Sequence, residues 1–225
     1  MSWDADTYDR VADPQEAWAR EILARAGFEP GQTVLDAGCG SGRVTELLLA
    51  QDVEVIGVDA DAAMVDKARA RLGDRARVER QDLLELELDE TVDAIFSCAV
   101  FHWITDHERL FERLRAALRP GGRLVAQCGG HGNIAKVVAA VPDRTSPWLY
   151  ATPEDTERRL RDAGFSEARA WLEPKPTIVP DPETFVAAVC LHGHPQAAEL
   201  APQVVAKLGE PPVLDYVRLN IEATA

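Results

Sequence analysis

Residues 34–44 read VLDAGCGSGRV. Three glycines, Gly38, Gly40 and Gly42, alternate with other residues between a short apolar run and an amphipathic stretch. In open α/β sheets, a glycine-rich turn of this kind follows the first strand and lets the backbone approach a ligand closely. The stretch therefore predicts a strand, a ligand-binding turn and a helix, in that order.

Strand-like and helix-like segments alternate along the rest of the chain. Short apolar runs predict seven strands, at 34–35, 53–59, 76–82, 92–97, 123–127, 166–173 and 213–221. Amphipathic segments between them predict helices, one of them running from Asp13 to near Gly27 and another opened by a capping box of Thr105 and Glu108. This alternation indicates an α/β fold with a doubly wound, mostly parallel sheet and helices on both faces. A further helical stretch around 183–208 predicts a small insertion near the C-terminus.

Composition and charge exclude several classes of function. The chain has 225 residues and a formal net charge of −14, which disfavours a nucleic-acid partner because phosphate backbones require a positive surface. No run of about 18 apolar residues predicts a membrane helix, and the N-terminus lacks the apolar core of a secretory signal. The four cysteines are widely separated and show no metal-ligand spacing, at Cys39, Cys98, Cys128 and Cys190. We therefore expect a cytoplasmic protein with reduced thiols, no metal site and no membrane partner.

The spacing of the glycines weakens both phosphate-binding interpretations of the turn. The motif is G-x-G-x-G, and Arg43 stands where a dinucleotide fingerprint has its third glycine, three residues after Gly40. A phosphate-binding loop would also need a G-K-S/T sequence, which is absent. Asp36 at the end of the first strand suits a cationic ligand, and Asp59 at the end of the second suits ribose hydroxyls. The residues predict a ligand with a ribose and a positive charge but no pyrophosphate.

Five segments in order resemble the successive motifs of the class I S-adenosylmethionine-dependent methyltransferases. They read VLDAGCGSG (34–42), VIGVDADAAM (55–64), QDLLEL (81–86), VDAIFSCAVFHWI (92–104) and LRPGGRLVAQ (118–127). The resemblance covers roughly residues 1–130, and the WDADTYDR and FHWITDH segments resemble the trans-aconitate methyltransferases and their small-molecule relatives. It implies a Rossmann-like fold, S-adenosyl-L-methionine as the cofactor and S-adenosyl-L-homocysteine as the product.

The resemblance also implies a role for individual residues. Asp36 and the turn after it, Ala37, Gly38, Cys39 and Gly40, would hold the methionine part of the cofactor. Asp59 would bind the ribose, and Ala60 and Met64 would flank the adenine. Asp82 would accept a hydrogen bond from the adenine amino group, and Leu83 would supply a backbone donor to the adenine. Ser97 and Ala99 would line the floor near the sulfonium, and Tyr8 would close over the site. Cys39 is expected to be small and inert, because nothing near it in sequence would lower its pKa.

Methyl transfer is an in-line displacement in which the protein mainly aligns donor and acceptor. A general base is needed only where the acceptor carries a proton at working pH, so a carboxylate needs none, while for a phenol or hydroxyl the need for a base stays open. His102, just after the fourth strand, is the candidate catalytic base, with pocket shaping or a backbone hydrogen bond as the alternative. His107 falls in the first turn of a helix and is expected at the surface.

The stretch after the fifth strand is expected to hold the methyl acceptor. Two alternatives stay open there: Arg144 would grip a carboxylate, or Trp148 with Tyr150 would hold a flat ring. His192 and His194 are expected in a solvated loop or pocket wall rather than in a metal site. The few candidate cations on the acceptor side count against trans-aconitate itself, namely His131, Lys136, Arg144, His192 and His194.

We expect a single methyltransferase domain over residues 1–225, with a cofactor half at 30–130 and an acceptor half with the helical insertion at 131–225. The predicted function is methyl transfer to a small-molecule acceptor, at a carboxylate or hydroxyl oxygen rather than a nitrogen. A non-catalytic S-adenosylmethionine-binding protein and a nicotinamide-dependent oxidoreductase remain as alternatives. The sequence leaves the acceptor and the oligomeric state open.

Overall fold

The computed structural model describes Thr7 and residues 13–141 and 148–225. Its strands are β1 (Thr33–Ala37), β2 (Glu54–Asp59), β3 (Arg77–Arg80), β4 (Val92–Cys98), β5 (Leu118–Gly129), β6 (Glu167–Thr177) and β7 (Leu214–Thr224). Its α-helices are α1 (Asp13–Ala26), α2 (Arg43–Leu49), α3 (Ala62–Leu72), α4 (His107–Ala117), α5 (Ala135–Ala140), α6 (Pro153–Asp162), α7 (Pro182–Phe185) and α8 (Ala197–Lys207).

The seven strands form one sheet in the order β3-β2-β1-β4-β5-β7-β6. The first five strands pair in parallel, while β7 pairs antiparallel with both β5 and β6. Because the order reverses at β1, the crevice beyond the carboxyl ends of β1 and β4 is where this architecture binds ligands. The predicted fold class, a seven-stranded, mostly parallel, Rossmann-like sheet, is confirmed.

Alternating side chains of the central strands pack into two separate cores. Leu35 and Ile95 belong to a cluster that includes the apolar stripe of α4, whereas Val34 and Phe96 pack with Ile22 of α1. Successive strand residues point to opposite faces, so strands covered on both sides read as continuous apolar runs. This double burial is why the sequence showed apolar runs in β1 and β4 instead of alternation.

Several predicted boundaries differ from the structure. Asp106, not Thr105, caps α4, since its side chain accepts a hydrogen bond from the backbone N–H of Arg109. The carboxylate of Asp106 stands three residues before that N–H, which is the geometry that a helix N-cap requires. β5 is longer than predicted because its pairing starts at Leu118, directly after α4.

The insertion near the C-terminus is not one continuous helix. α7 runs into a single π-helical turn, Val186–Cys190, and α8 follows only at Ala197–Lys207. Its buried residues pack against α5 and the start of β7, with Phe185, Val204 and Leu214 in one apolar cluster. Within the described residues, no helix is both long and apolar enough to cross a membrane.

Burial in the central sheet predicts a strong position dependence of stability. Ile95 is fully buried between β1 and β5, whereas Ile178 is 60% exposed. We expect Ile95→Ala to lower the free energy of unfolding by about 2–5 kcal/mol, because it leaves a cavity in the core. The matched change Ile178→Ala should cost less than about 0.5 kcal/mol. Urea unfolding followed by circular dichroism measures both, and equal losses would contradict the assigned core.

Candidate functional site

A cavity of about 690 Å³ lies at the carboxyl ends of the parallel strands. Sites for small molecules usually measure roughly 300–1,000 Å³. Nine of the predicted cofactor and catalytic residues line it: Gly38, Gly40, Asp59, Ala60, Met64, Asp82, Leu83, Ala99 and His102. The fold therefore brings together residues from four separate sequence segments.

The glycine turn is held close to two neighbouring strands. The N–H groups of Gly38 and Cys39 both donate to the Val58 carbonyl, each at 2.9 Å. Gly38 has a φ of 85°, and a Cβ on it would collide with the side chain of Val100, which follows β4. Only glycine combines this positive φ with so close an approach. The turn thus exposes backbone, not side chain, to the cavity.

Asp59 lies at the end of β2 and is tied to the turn. Its two carboxylate oxygens accept hydrogen bonds from the N–H of Gly40 and the N–H of Asp61, each at 2.9 Å. Burial raises the pKa of the Asp59 carboxyl, and the two hydrogen bonds oppose that effect. Each oxygen keeps a second lone pair with which it can accept from a hydroxyl group. Asp59 is therefore a fixed double acceptor at the cavity wall.

Asp36 is a buried carboxyl with a single side-chain partner among the described residues. It is 1% exposed and accepts a hydrogen bond of 2.7 Å from the hydroxyl of Thr45 on α2. Burial raises the pKa of Asp36 to about 7, with the nearby Asp59 adding to the shift. It lines a side pocket of about 50 Å³ together with Gly38 and Gly40, which also line the main cavity. A cation placed there would stabilise the ionised form of this carboxyl.

Besides Asp36, three of the predicted cofactor residues lie outside the main cavity, namely Ala37, Cys39 and Ser97. Ala37 is fully buried, and its carbonyl accepts a hydrogen bond of 2.6 Å from the hydroxyl of Ser97. Ser97 therefore links β4 to β1 and does not line the cavity. Cys39 lines only the side pocket. Burial raises the pKa of its thiol, which is consistent with the expected lack of reactivity. A side chain that alternates to the far face of a strand cannot reach the ligand side.

The opposite wall of the cavity is formed by the beginnings of two short helices. Asp61 caps α3 by accepting from the N–H groups of Ala63 and Met64, which places Met64 at the cavity. Asp82 caps a 3-10 turn, Leu83–Glu85, in the same manner by accepting from the N–H of Leu84 at 2.9 Å. Met64, Asp82 and Leu83 then face a common space, with apolar surface and one carboxylate suited to a flat nitrogen heterocycle.

Ala99, directly after β4, has an unusual backbone conformation. Its φ is 64°, and its N–H donates to the carbonyl of Gln127 at 2.7 Å. Positive φ is strained for a residue with a Cβ, and such strain concentrates at binding sites. The bend turns the chain toward the segment that carries His102.

His102 is buried and held in one tautomer. Its Nδ1 accepts a hydrogen bond of 3.2 Å from the N–H of Gly129, which leaves the proton on Nε2. Burial lowers the pKa of His102 well below its usual value, and the nearby Arg218 adds to that effect. A neutral imidazole with its lone pair already engaged is a hydrogen-bond donor, not a proton acceptor. The geometry thus argues against the general-base role predicted from the sequence.

Aromatic side chains enclose the end of the cavity beyond His102. The Tyr150 ring is stacked on His102 at 6.0 Å with an angle of 28° between planes. Trp103 meets Trp148 edge to face at 5.2 Å, and all three aromatic residues line the cavity. These rings form a wall that accommodates a flat, apolar group.

Other histidines lie elsewhere than expected or outside the cavity. His107 is 1% exposed and not at the surface, because its Nε2 donates to the Phe101 carbonyl at 3.0 Å and its ring packs on Phe111. His192 contacts the edge of Trp103 without lining the cavity, and the described residues contain no cluster that could hold a metal ion. The predicted Tyr8 and Arg144 lie outside the described residues.

Several cavity residues were missed by sequence reasoning, among them Gln15, Tyr216 and Arg218. Gln15 belongs to α1, while Tyr216 and Arg218 come from β7, late in the chain. For Arg218, the signal available in the sequence was an arginine within the largely apolar run 213–221. A buried strand tolerates an arginine only where its charge has a purpose or a partner.

The chain is similar to known methyltransferases in sequence. A family model described as "Methyltransferase domain" matches residues 34–122. An uncharacterized methyltransferase of Schizosaccharomyces pombe is 30% identical over 79% of this chain and 75% of its own length. A trans-aconitate 2-methyltransferase of Rhizobium meliloti is 34% identical over 83% of this chain and 66% of its own length.

The fold is similar to that of solved methyltransferase structures. One of them is the phosphoethanolamine N-methyltransferase 2 of Haemonchus contortus in complex with phosphomonomethylethanolamine and S-adenosylhomocysteine. It superposes with a TM-score of 0.71 at 21% identity, over 98% of this chain and 57% of that chain. The family uses S-adenosylmethionine as methyl donor. The glycine turn and the buried Asp36 of this chain fit that cofactor. The chain belongs to the class I S-adenosylmethionine-dependent methyltransferases, with trans-aconitate 2-methyltransferases among its relatives.

Proposed function

We propose that this protein transfers the methyl group of S-adenosylmethionine to a carboxylate oxygen of a small molecule. The observation that carries the proposal is the state of His102, neutral and with Nδ1 occupied by the Gly129 N–H. A carboxylate is already ionised and needs no base, whereas a hydroxyl acceptor would have to lose a proton. The relationship to trans-aconitate 2-methyltransferases supports the same choice.

The cofactor half of the cavity is assigned from its carboxylates and from the exposed backbone of the glycine turn. Asp36 pairs with the amino group of the methionine part, next to the open backbone of Gly38 and Gly40. Asp59 accepts the ribose hydroxyls, while Met64 and Asp82 hold the adenine, with Ala60 and Leu83 beside it. These positions are supported by the burial of Asp36 and by the fixed oxygens of Asp59.

The bound cofactor supplies an electrophilic methyl group on a sulfonium. The chain contributes position and a dry surrounding: the Nε2–H of His102 donates to the acceptor, and the aromatic wall of Trp103, Trp148 and Tyr150 excludes water. Orienting two reactants in this way is a large part of what an enzyme can supply for a displacement. No proton transfer is required of the protein.

The proposal extends to the organisation and setting of the protein. Residues 1–225 act as one domain, because α5, the insertion and the start of β7 form one apolar cluster that includes Trp18 from α1. The acceptor is a small molecule, since the cavity measures about 690 Å³. A nucleic-acid partner is not expected, because only two basic side chains other than histidine line the described cavity, Arg80 and Arg218. The four free cysteines support a reducing, cytoplasmic setting.

The assignment of Asp59 predicts the effect of a single-atom change. Asp59→Asn should weaken the binding of S-adenosylhomocysteine about 10- to 100-fold, because hydrogen bonds from ribose to a charged acceptor are lost. The exposed Asp74 offers a matched control, and Asp74→Asn should bind as the wild type does. Isothermal titration calorimetry measures both. Unchanged affinity in Asp59→Asn would rule out the ribose assignment.

The pKa of Asp36 predicts how cofactor binding depends on pH. Its pKa is about 7, so the carboxyl is mostly protonated below that value and anionic above it. Affinity for S-adenosylhomocysteine, whose ammonium pairs with the anion, should therefore rise between about pH 6 and pH 8. Thr45→Val removes the hydrogen bond that lowers the pKa and should move the rise to higher pH. Calorimetry across this range is the test, and a flat profile would contradict the ion pair.

The reaction itself is tested with a panel of carboxylic acids, phenols and amines and methyl-labelled S-adenosylmethionine. We expect labelled methyl esters, which alkali hydrolyses, from the acids and no product from the phenols or amines. If the chain binds S-adenosylhomocysteine but methylates only hydroxyl or amino groups, carboxylate methylation is wrong. Cofactor binding with no product from any class would favour a non-catalytic binding protein.

A further inference from the structure

Arg218 is a buried cation that no acid neutralises in the described part of the chain. It lies on β7, lines the cavity and is 1% exposed. Its Nη2 is buried and has no hydrogen-bond partner, and no described carboxylate lies within ion-pair distance of its guanidinium. Leaving a charge buried without a counter-charge costs several kcal/mol, so such a group usually serves a ligand.

The contacts that Arg218 does make are with neutral groups, and they orient it. Its Nε donates to Oε1 of Gln127 at 3.3 Å, and its guanidinium carbon lies 4.5 Å from the centre of the Trp18 ring. A guanidinium stacked on an aromatic face has its position set without losing its charge. The side chain is therefore held in place while its guanidinium has no acid partner among the described residues.

The sheet register places Arg218 on the acceptor side of the cavity. Arg218 is paired with Gly129 of β5, and the N–H of Gly129 donates to Nδ1 of His102. Asp36 and Asp59, the anions assigned to the cofactor, lie on β1 and β2, which β4 and β5 separate from β7. The cavity thus has negative charge at the cofactor end and positive charge next to the donor His102.

The wall of the cavity beside His102 is aromatic and uncharged. Trp103, Trp148 and Tyr150 line the same cavity as Arg218 and stack or pack edge to face with one another and with His102. The other arginine that lines the cavity, Arg80, is exposed and donates to the carbonyl of Ala60. Among the described residues, the cavity can thus neutralise one carboxylate and enclose one flat apolar group.

From this juxtaposition we propose that Arg218 is the specificity-determining residue for the acceptor, a flat and otherwise apolar monocarboxylic acid. The proposal rests on the carboxylate methylation proposed above and names its substrate class. The guanidinium of Arg218 and Nε2 of His102 donate to the acceptor carboxylate, and a carboxylate oxygen keeps a lone pair for attack. The new bond joins that oxygen to the methyl carbon, and the electrons of the broken carbon–sulfur bond stay on sulfur. The product is a neutral ester, which no longer pairs with Arg218, and no proton is transferred.

The described part of the cavity does not fit a tricarboxylate. Two of its three charges would lack a counter-charge among the described lining residues, and each uncompensated charge is costly. The inference therefore separates this chain from a trans-aconitate acceptor, although relatives carry that name.

The test is binding of three probes to the wild-type protein saturated with S-adenosylhomocysteine, measured by calorimetry. The probes are trans-cinnamate, the uncharged trans-cinnamamide and trans-aconitate. We expect trans-cinnamate to bind at least about tenfold more tightly than the other two, because only it has one charge and a flat apolar body. If trans-cinnamamide or trans-aconitate binds as tightly, or if trans-cinnamate does not bind at all, the proposal is overturned.

Two variants assign the effect to Arg218. Arg218→Met should weaken trans-cinnamate binding by about 30-fold or more, with S-adenosylhomocysteine affinity unchanged within about twofold. Gln127→Glu places a carboxylate beside the guanidinium and should produce the same loss with the arginine still present. The control is Arg169→Met, since Arg169 is exposed and stacks on Trp171 at 4.7 Å away from the cavity.

The variants also separate this inference from the proposed function. If Arg218→Met folds and loses S-adenosylhomocysteine affinity while trans-cinnamate binding is unchanged, the arginine serves the cofactor and the inference is wrong. If Arg218→Met fails to fold, Gln127→Glu decides, and unchanged trans-cinnamate binding in that variant overturns the inference. Arg218-dependent binding without ester formation from any acid would instead contradict the proposed function alone.

Discussion

The close approach of the first turn to its two neighbouring strands is the constraint on which the rest of the site depends. Gly38 and Cys39 share the Val58 carbonyl on one side, and Gly38 lies against Val100 on the other. A side chain at Gly38 would push β1 away from the segment after β4, and that segment carries Ala99 and His102. The parallel pairing brings the strand ends together, and the missing Cβ lets their loops touch.

Around this turn, the cavity holds opposite charges in separate places. Asp36 and Asp59 belong to strands at the β1–β2 end, and burial raises the pKa of both carboxyls. Arg218 belongs to β7, where Trp18 and Gln127 hold it without neutralising it. Buried charges without counter-charges destabilise the empty protein and strengthen binding of a ligand that supplies the missing charges. A cationic donor and an anionic acceptor would meet between them.

Local pattern predicted the fold well, and the reason is the double burial of the central strands. The apolar runs at 34–35 and 92–97 lie within or at the ends of β1 and β4, and the glycine turn between β1 and α2 was identified from its spacing. Errors arose where the hydrogen-bond partner of a side chain is a backbone group that the sequence pattern does not identify. Asp106 caps α4 in place of Thr105, and His107 turns inward because the Phe101 carbonyl needs a donor.

The sequence by itself determined the alternating α/β architecture, the family and the acidic residues at the ends of β1 and β2, because these are carried by short contiguous motifs. Only the tertiary structure decided the protonation of His102, since its partner is a backbone N–H twenty-seven residues further along. The same holds for Arg218, whose surroundings come from α1, β5 and the segment after β4. Burial, and the lack of a counter-charge among the described residues, depend on which side chains are neighbours in space. Strand pairing sets those neighbours, and no local sequence pattern predicts them.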